Sequence, residues 1–488
     1  MKRKYYLFGI LSIILLSVGL TYKYLQTDTF YMIKLGDYIW HSGIDLMDHY
    51  CWVAKLPYTY PHWLYDVFIY LIYSHFGYLG IYISTIITFI VLGIVLYYVN
   101  LKVNKNYFFS IVLSIICVFR LSTFAVARAQ LISLIGFVLE FYFILRIIET
   151  GKKRYSIYLF LICILIANVH ATVWIFFFIL FLPFFLEYII FILNKNVSKL
   201  KINSKLIIEN IPHIKLLFFT FFISLFLGLL SPSKICYSYI FRIMLGDSQK
   251  FLLEHLPLNV LEHPFFLVAF LILLIVLIFT DTKIYLRELS MIGGITFMCL
   301  TSVRHLSFFY SIVVIIIGVI CIRCLNDKGD VTFNVLGKIL IENKLSFCLL
   351  ILLIFGFSEL QFLNHSKEEY VLKKDYPVGA VLYIKNNLSD KSLRIYNGYN
   401  YGSYLLFNDI PVFIDARCDL YLKEFNGMRY SIFDKMENMP RNYEREFKKM
   451  GVTHVLVSKK ESLFFILRKD ANYKVLYQDK YFVFFEKV

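Results

Sequence analysis

The sequence predicts a polytopic α-helical membrane protein of about eleven crossings that ends in a small α/β domain. Three observations predict it. Apolar runs approaching the length of a membrane span recur from Tyr5 to Leu363. Lys and Arg collect in alternate connections between those runs, as the positive-inside bias requires. From Asn364 the runs shorten and charged residues become frequent.

Composition agrees. Of the 488 residues, 59% are apolar and the mean hydropathy is +0.67, whereas soluble proteins have about 45–50% apolar residues. The formal net charge is +16. In a soluble chain that would suggest nucleic acid as a partner; here the cations belong to the inner loops, and no nucleic-acid role is read. The nine Cys are scattered, most of them inside apolar runs. Cys321 and Cys324 form a C-x-x-C inside a span with no second pair, so neither a zinc site nor a disulfide framework is read. The Ile, Lys, Asn and Tyr bias suits an AT-rich bacterial genome.

In order, Lys2, Arg3 and Lys4 mark the inside, and the first span, about Tyr5–Leu25, exits. It reads as a retained helix, because no small-residue cleavage site follows it. The next region, about Leu64–Val99, is interrupted near Ser74–Gly80, which suggests a short interfacial helix and then one crossing. Further spans are expected near Tyr107–Phe119, Leu131–Ile148, Tyr155–Asn168, Val173–Leu193, Ile214–Leu230, Phe265–Thr280, Met291–Ser302, Ser307–Leu325 and Leu345–Leu363. Lys102, Lys105, Lys152, Lys153, Lys283, Arg287 and Arg323 fall on inner connections. This gives a transmembrane domain over 1–363 and, by parity, an outer domain over 364–488. In the latter, Pro377 opens a helix over Asp375–Asn387, and Tyr421–Met436 and Arg441–Met450 are helix-like. Leu393–Tyr396, Val412–Ala416 and Thr453–Ser458 read as strands. Tyr473–Tyr477 and Tyr481–Glu486 pair as a hairpin.

The first outer loop, 26–63, and its margin are the chemically rich part. From Asp28 to Asp66 lie three of the four Trp, three of the eleven His and five Asp. Long connections with their own aromatics and carboxylates are more often functional than mere linkers. Asp48, in LMDHY, is the first candidate for a general base and Asp28 the second; the structural alternatives are a solvated or capping Asp48 and an Asp28 that caps the next helix. His62, Trp63 and Asp66, in PHWLYD, are substrate-binding or loop-organising candidates. His62 and Asp66 share a helix face, and Trp63 also suits an interfacial anchor. Arg128, Arg304 and His305 adjoin apolar spans on the outer side. A guanidinium there can bind a phosphate bidentately or snorkel to lipid headgroups, and both readings stand. His170, Glu254 and His255 are further candidates, with core or surface roles as the alternative. Asp415, Arg417, Asp419 and Tyr421 either bind an acceptor or form an ion-pair network internal to their domain.

These motifs have a familiar order. DTFYMIKLGDYIWHSGI, MDHYCW and PHWLYDV resemble the first outer loop of bacterial integral-membrane proteins of the GT-C glycosyltransferase superfamily, with Asp28, Gly36, Gly43, Asp48, His62, Trp63, Leu64 and Asp66 on its pattern. ARAQLIS, ANVHATV, LSPSKICYSY, LLEHLP and RIYNGYNYGSYLLFNDIPVFIDARCDLY resemble its later segments. The chain departs from the pattern in lacking the Glu that follows His in H-E-W-L and in carrying Cys51 where D-x-F-S has Ser. The resemblance implies a GT-C core and an extracytoplasmic α/β domain in the bacterial plasma membrane. It implies inverting transfer of a sugar from a polyprenyl-phosphate donor to an extracytoplasmic glycan, lipid or protein acceptor in the cell envelope, with Asp28 or Asp48 as base. Some superfamily members use a divalent cation, but no ligand spacing here demands one. The rival reading is a non-catalytic transporter, or a scaffold for envelope polysaccharide assembly.

Overall fold

The computed structural model describes residues 2–196, 205–246, 255–327, 332–388 and 393–488. The chain divides into two compact units. One comprises Met1–Tyr22, Ile83–Tyr237 and Leu252–Lys367; the other comprises Lys23–Tyr82, Ser238–Phe251 and Glu368–Val488.

The first unit is helical. Its helices include α1 (Lys2–Leu20), most of α3 (Trp63–Asn104), α4 (Tyr107–Leu121), α5 (Gln130–Thr150) and α6 (Arg154–Val169). Later come Ala171–Lys195, Ile214–Leu230, Pro264–Phe279, Leu286–Thr301, Val303–Leu325 and Lys344–Ser366. Each expected span falls on one of these helices. Among the described residues, seven helices are long and apolar enough to cross a membrane, so the chain is an integral membrane protein. A lipid environment offers no water to backbone amides, which is why such runs close their hydrogen bonds within one helix. α1 packs along Lys344–Ser366, α5 against α6, and α6 against Ile214–Leu227. At one end of the unit, β1 (Leu206–Ile207) pairs in parallel with β2 (Ile284–Tyr285).

The expected interruption of α3 is at Gly77. Its φ of 59° and ψ of −153° break the helix, a conformation open to glycine at little cost.

The second unit holds α2 (Thr27–Ser42), the start of α3 and the C-terminal region. Its sheet has four strands, β3 (Ile395–Asn397), β4 (His454–Ser458), β5 (Tyr473–Gln478) and β6 (Phe482–Lys487), in the order β3-β4-β6-β5. β3 and β4 run parallel, and β5 and β6 form the expected hairpin. Helix Val378–Asn387 starts at its Pro377 cap, as expected. Helix Tyr399–Phe407 was not expected; it packs on α2, where Phe30 meets the rings of Tyr376, Tyr404 and Phe407 at 4.9, 5.1 and 5.5 Å. Tyr421–Met436 is not one helix: Lys423–Asn426 is a single turn, and a capping box at Ser431 and Asp434 opens a separate helix, Ile432–Met450.

Val412–Ala416 is not a strand. Val412, Phe413 and Ile414 are enclosed on all sides, and side chains and a loop take up their backbone groups. The Phe413 N–H donates to Asn397 Oδ1 (2.8 Å), Asn397 Nδ2 donates to the Ile414 carbonyl (2.7 Å), and Val412 bridges Cys51. The apolar run signalled burial, not sheet pairing.

Candidate active site

The rich outer loop folds on itself and then onto the C-terminal segment. Asp48 N–H donates to the Leu56 carbonyl and Tyr58 N–H to the Leu46 carbonyl, both at 2.9 Å, while Tyr60 Oη reaches the Met47 carbonyl at 2.8 Å. Beyond this turn, Val412 N–H donates to the Tyr50 carbonyl and Trp52 N–H to the Val412 carbonyl, each at 3.1 Å. The Trp52 indole N–H donates to the Ile395 carbonyl at 2.9 Å. Trp52 is thus bonded to Val412 by its backbone and to the edge strand β3 by its ring.

This docking brings Asp48 to Arg417. The two side chains have no exposed surface. Arg417 Nη1 donates to Asp48 Oδ1, and the Cys51 N–H donates to Asp48 Oδ2 at 2.8 Å. The other side of the guanidinium grips Asp415, through Nε to Oδ1 at 2.9 Å and Nη2 to Oδ2 at 2.7 Å. This two-point geometry suits Arg and no other cation. Tyr421 Oη donates to Asp415 Oδ2 at 2.6 Å. Tyr58 and Tyr50 set their rings 5.3 and 5.7 Å from the guanidinium carbon.

Two more aspartates feel this arginine. Asp419 is buried; desolvation pushes its carboxyl up to about 6 against the pull of Arg417. Among the described residues its one side-chain donor, Thr59 Oγ1, is at the 3.5 Å limit. Asp66 is also buried, and neither of its oxygens has a hydrogen-bond partner among the described residues. Arg417 is a charge that acts on it. Asp66 N–H bonds to the His62 carbonyl at 2.9 Å, so the expected spacing of four is present and Trp63 opens the helix. Here α2 runs tight against α3: a Cβ at Gly36 would collide with the Asp66 carbonyl.

Asp28 lies in the first turn of α2, half-buried, and is not the cap, which is Gln26. A carboxylate there complements the helix dipole. The loop also exposes acid–histidine pairs: His41 and Asp37 at 3.1 Å, and Asp45 and His49 at 2.5 Å, with Tyr38 Oη donating to the same Asp45 oxygen at 2.9 Å. Partial burial works to raise the Asp45 carboxyl, but the Met47 N–H, His49 and Tyr38 outweigh it and hold it below the ordinary range. Asp45 and His49 were not among the expected site residues, although their spacing of four is visible in the sequence.

In the helical unit, Arg304, His305 and His170 do come together. With Gln130, Ser133 and Ser307 they line a cavity of about 20 Å³, room for about one water. His170 Nδ1 meets Ser133 Oγ at 2.8 Å, and His305 Nδ1 meets the Met298 carbonyl at 2.8 Å. Arg128 is half-buried just ahead of α5 and is not part of that lining. His255 is buried in the same unit, and Glu254 lies outside the described residues. Among the described residues, no group of three or more His, Cys, Asp or Glu is placed to hold a metal ion.

Comparison with solved structures addresses the whole architecture. The chain superposes on the archaeal oligosaccharyltransferase AglB from Archaeoglobus fulgidus, in complex with an inhibitory peptide and a dolichol-phosphate, with a TM-score of 0.62 at 10% identity, over 94% of this chain and 70% of that one. It superposes on ArnT from Cupriavidus metallidurans, bound to undecaprenyl phosphate, with a TM-score of 0.55 at 11% identity, over 99% of this chain and 97% of that one. The fold is GT-C-like. ArnT in the apo state matches over the same shares, with a TM-score of 0.52 at 12% identity. No protein-family model matches the sequence, and no curated protein matches it. The GT-C-like likeness thus spans both units and shows at the level of fold.

Proposed function

We propose that this chain is a bacterial membrane glycosyltransferase. It moves a sugar from a polyprenyl-phosphate donor to an acceptor outside the plasma membrane. The observation that carries this reading is the superposition on nearly the whole of ArnT bound to undecaprenyl phosphate. In the reaction, an acceptor hydroxyl attacks the anomeric carbon, the bond from that carbon to the phosphate oxygen breaks, and the configuration inverts. A carboxylate takes the hydroxyl proton, and the polyprenyl phosphate leaves as an anion.

We assign the proton to Asp28. Its side chain is only half-buried, whereas both oxygens of Asp48 are engaged and enclosed. Asp48 is then a positioning residue that ties the loop to Arg417. Arg304 and Arg128 are separate candidates for a ligand of the leaving phosphate, by the chemistry of a guanidinium that fits two oxygens at once.

The test is mass spectrometry of surface glycans and lipid-linked sugars from a deletion strain, complemented with wild type, Asp28→Asn or Asp48→Asn. Deletion is expected to leave the lipid-linked donor unused and the acceptor unmodified. Asp28→Asn is expected to lower kcat by roughly 10²–10⁴-fold with normal folding. Asp48→Asn is expected to lower activity and thermal midpoint together. Unchanged glycans in a deletion strain with no second copy of the activity would overturn the reading; full rescue by Asp28→Asn would overturn the assigned base.

A further inference from the structure

The helical unit carries a second cavity that the proposed reaction does not use. Its volume is about 230 Å³, against about 20 Å³ for the cavity beside His170. It lies where the end of α3, the last turns of α5, the start of Leu286–Thr301 and the end of Val303–Leu325 meet. By the charge bias of the sequence this is the inner end of the unit.

Five cations line it, Lys102, Lys105, Arg146, Arg287 and Arg323, against two carboxylates, Glu149 and Glu288. Two of the cations are built into the wall. Arg287 bonds to Glu187 at 2.9 Å and to Glu209 at 3.1 Å. Arg323 bonds to Glu288 at 2.7 Å and to the Lys283 carbonyl at 2.6 Å. The other three keep capacity in hand. Arg146 pairs with Glu149 through Nη1 and hydrogen-bonds Tyr155, whose ring lies 5.7 Å from its guanidinium carbon, but its Nε is buried with no acceptor among the described residues. Lys102 and Lys105 are exposed and have no ion-pair partner among the described residues. Lys102 sits over the Tyr98 ring, 5.4 Å from its centre. Much of the rest of the wall is apolar, with Phe141, Leu145, Met291 and Ile316, and Tyr142 and Tyr285 complete it with rings and hydroxyls.

Donors without acceptors beside an apolar wall describe a receptor for an amphiphilic anion. We infer that this cavity binds a phosphate group, held by Lys102, Lys105 and Arg146, with an apolar chain against Phe141, Leu145 and Ile316. The buried Arg146 Nε gives the site a directed donor, which a merely basic surface lacks. A phospholipid headgroup and a soluble phosphate ester share this chemistry, and basic pockets between membrane helices on the inner side take such headgroups.

The experiment uses the full chain in nanodiscs of mixed phosphatidylglycerol and phosphatidylcholine, with retained lipid read by native mass spectrometry. Wild type is expected to retain phosphatidylglycerol in preference. Lys102→Gln/Lys105→Gln/Arg146→Gln is expected to weaken that retention by on the order of a hundredfold. The exposed single change Lys105→Glu, with little to disturb in folding, is expected to weaken it in the same direction. Lys152→Gln/Lys153→Gln removes exposed charge from the same end but outside the cavity, and is expected to retain lipid as wild type does. Competition by millimolar glycerol 3-phosphate would identify a soluble ester as occupant, and its failure a lipid headgroup. Equal retention by wild type and both cavity variants would overturn the site. So would an equal loss in the Lys152/Lys153 control, or a wild type that neither prefers phosphatidylglycerol nor binds glycerol 3-phosphate.

Discussion

Asp48 and Glu140 are both enclosed carboxylates, one in each unit of the chain, and they are treated in opposite ways. Asp48 receives a guanidinium N–H on one oxygen and the Cys51 N–H on the other. Glu140, in the middle of α5, is wholly buried, and neither oxygen has a hydrogen-bond partner among the described residues. The difference separates two uses of a buried acid. A paired and hydrogen-bonded carboxylate fixes a geometry, because removing either partner strands the other. An acid with no partner inside a membrane helix fixes nothing by itself and is rare without a function. Asp48 therefore belongs to the joint between the first loop and the C-terminal region, a joint that lies wholly within one unit.

The largest test of this contrast is Arg417→Met. It leaves Asp48 and Asp415 buried without their cation, and breaking a buried ion pair on one side costs about 3–5 kcal/mol. We expect a matching fall in thermal midpoint for the purified chain, and proteolysis opening within 43–62, where the loop is held by this network. A variant that melts with wild type and resists protease would show that Trp52 and the backbone bridge to Val412 suffice, and the comparison with Glu140 would fail on its stronger side.

Asp419 gives the next effect, through pH. Its carboxyl is raised from 3.8 to about 6 in the fold, by burial first, with Arg417 opposing. Between these values the folded chain holds a proton that the unfolded chain has released. Stability therefore falls as pH rises through this window, by about 3 kcal/mol in total. Asp419→Asn carries no titrating proton, so the difference in thermal midpoint between variant and wild type is expected to grow from pH 4 to 7, in favour of the variant. A constant difference across that range would mean that Arg417 holds Asp419 ionised as well, making it a third full member of the network.

What was legible in the sequence follows from the same physics. The spans were legible because lipid imposes length and hydropathy on every crossing, and the break in α3 was legible as the stretch Ser74–Gly80, within which it falls at Gly77, whose backbone angles few other residues take easily. The β5–β6 hairpin was legible from local alternation. Val412–Ala416 was misread because an apolar run reports burial, whichever groups satisfy its backbone. Arg417 and Asp48 were both singled out, yet their pairing joins residues 369 positions apart, and no local period encodes such a contact. As a carboxylate in the sequence, Asp48 stands ahead of Asp28 as the candidate base; only the fold encloses Asp48 and leaves Asp28 half-buried.

The smallest expected effect tests the weaker side of the comparison. Glu140→Gln keeps the shape of the side chain and removes the chance of charge. Whichever protonation state the acid holds, no hydrogen bond to a described residue is lost, so stability is expected to change by less than about 1 kcal/mol or to rise, since an unpaired buried charge is the costlier occupant. Measured beside Arg417→Met under one condition, the two variants should differ by several degrees in thermal midpoint. A large loss in Glu140→Gln would mean that the acid answers a cation, and its burial would then be structural like that of Asp48. A normal midpoint with lost glycosyl transfer would give the opposite result: an acid kept in the membrane unit against its own cost because the reaction, or the movement of substrate through the helices, depends on it.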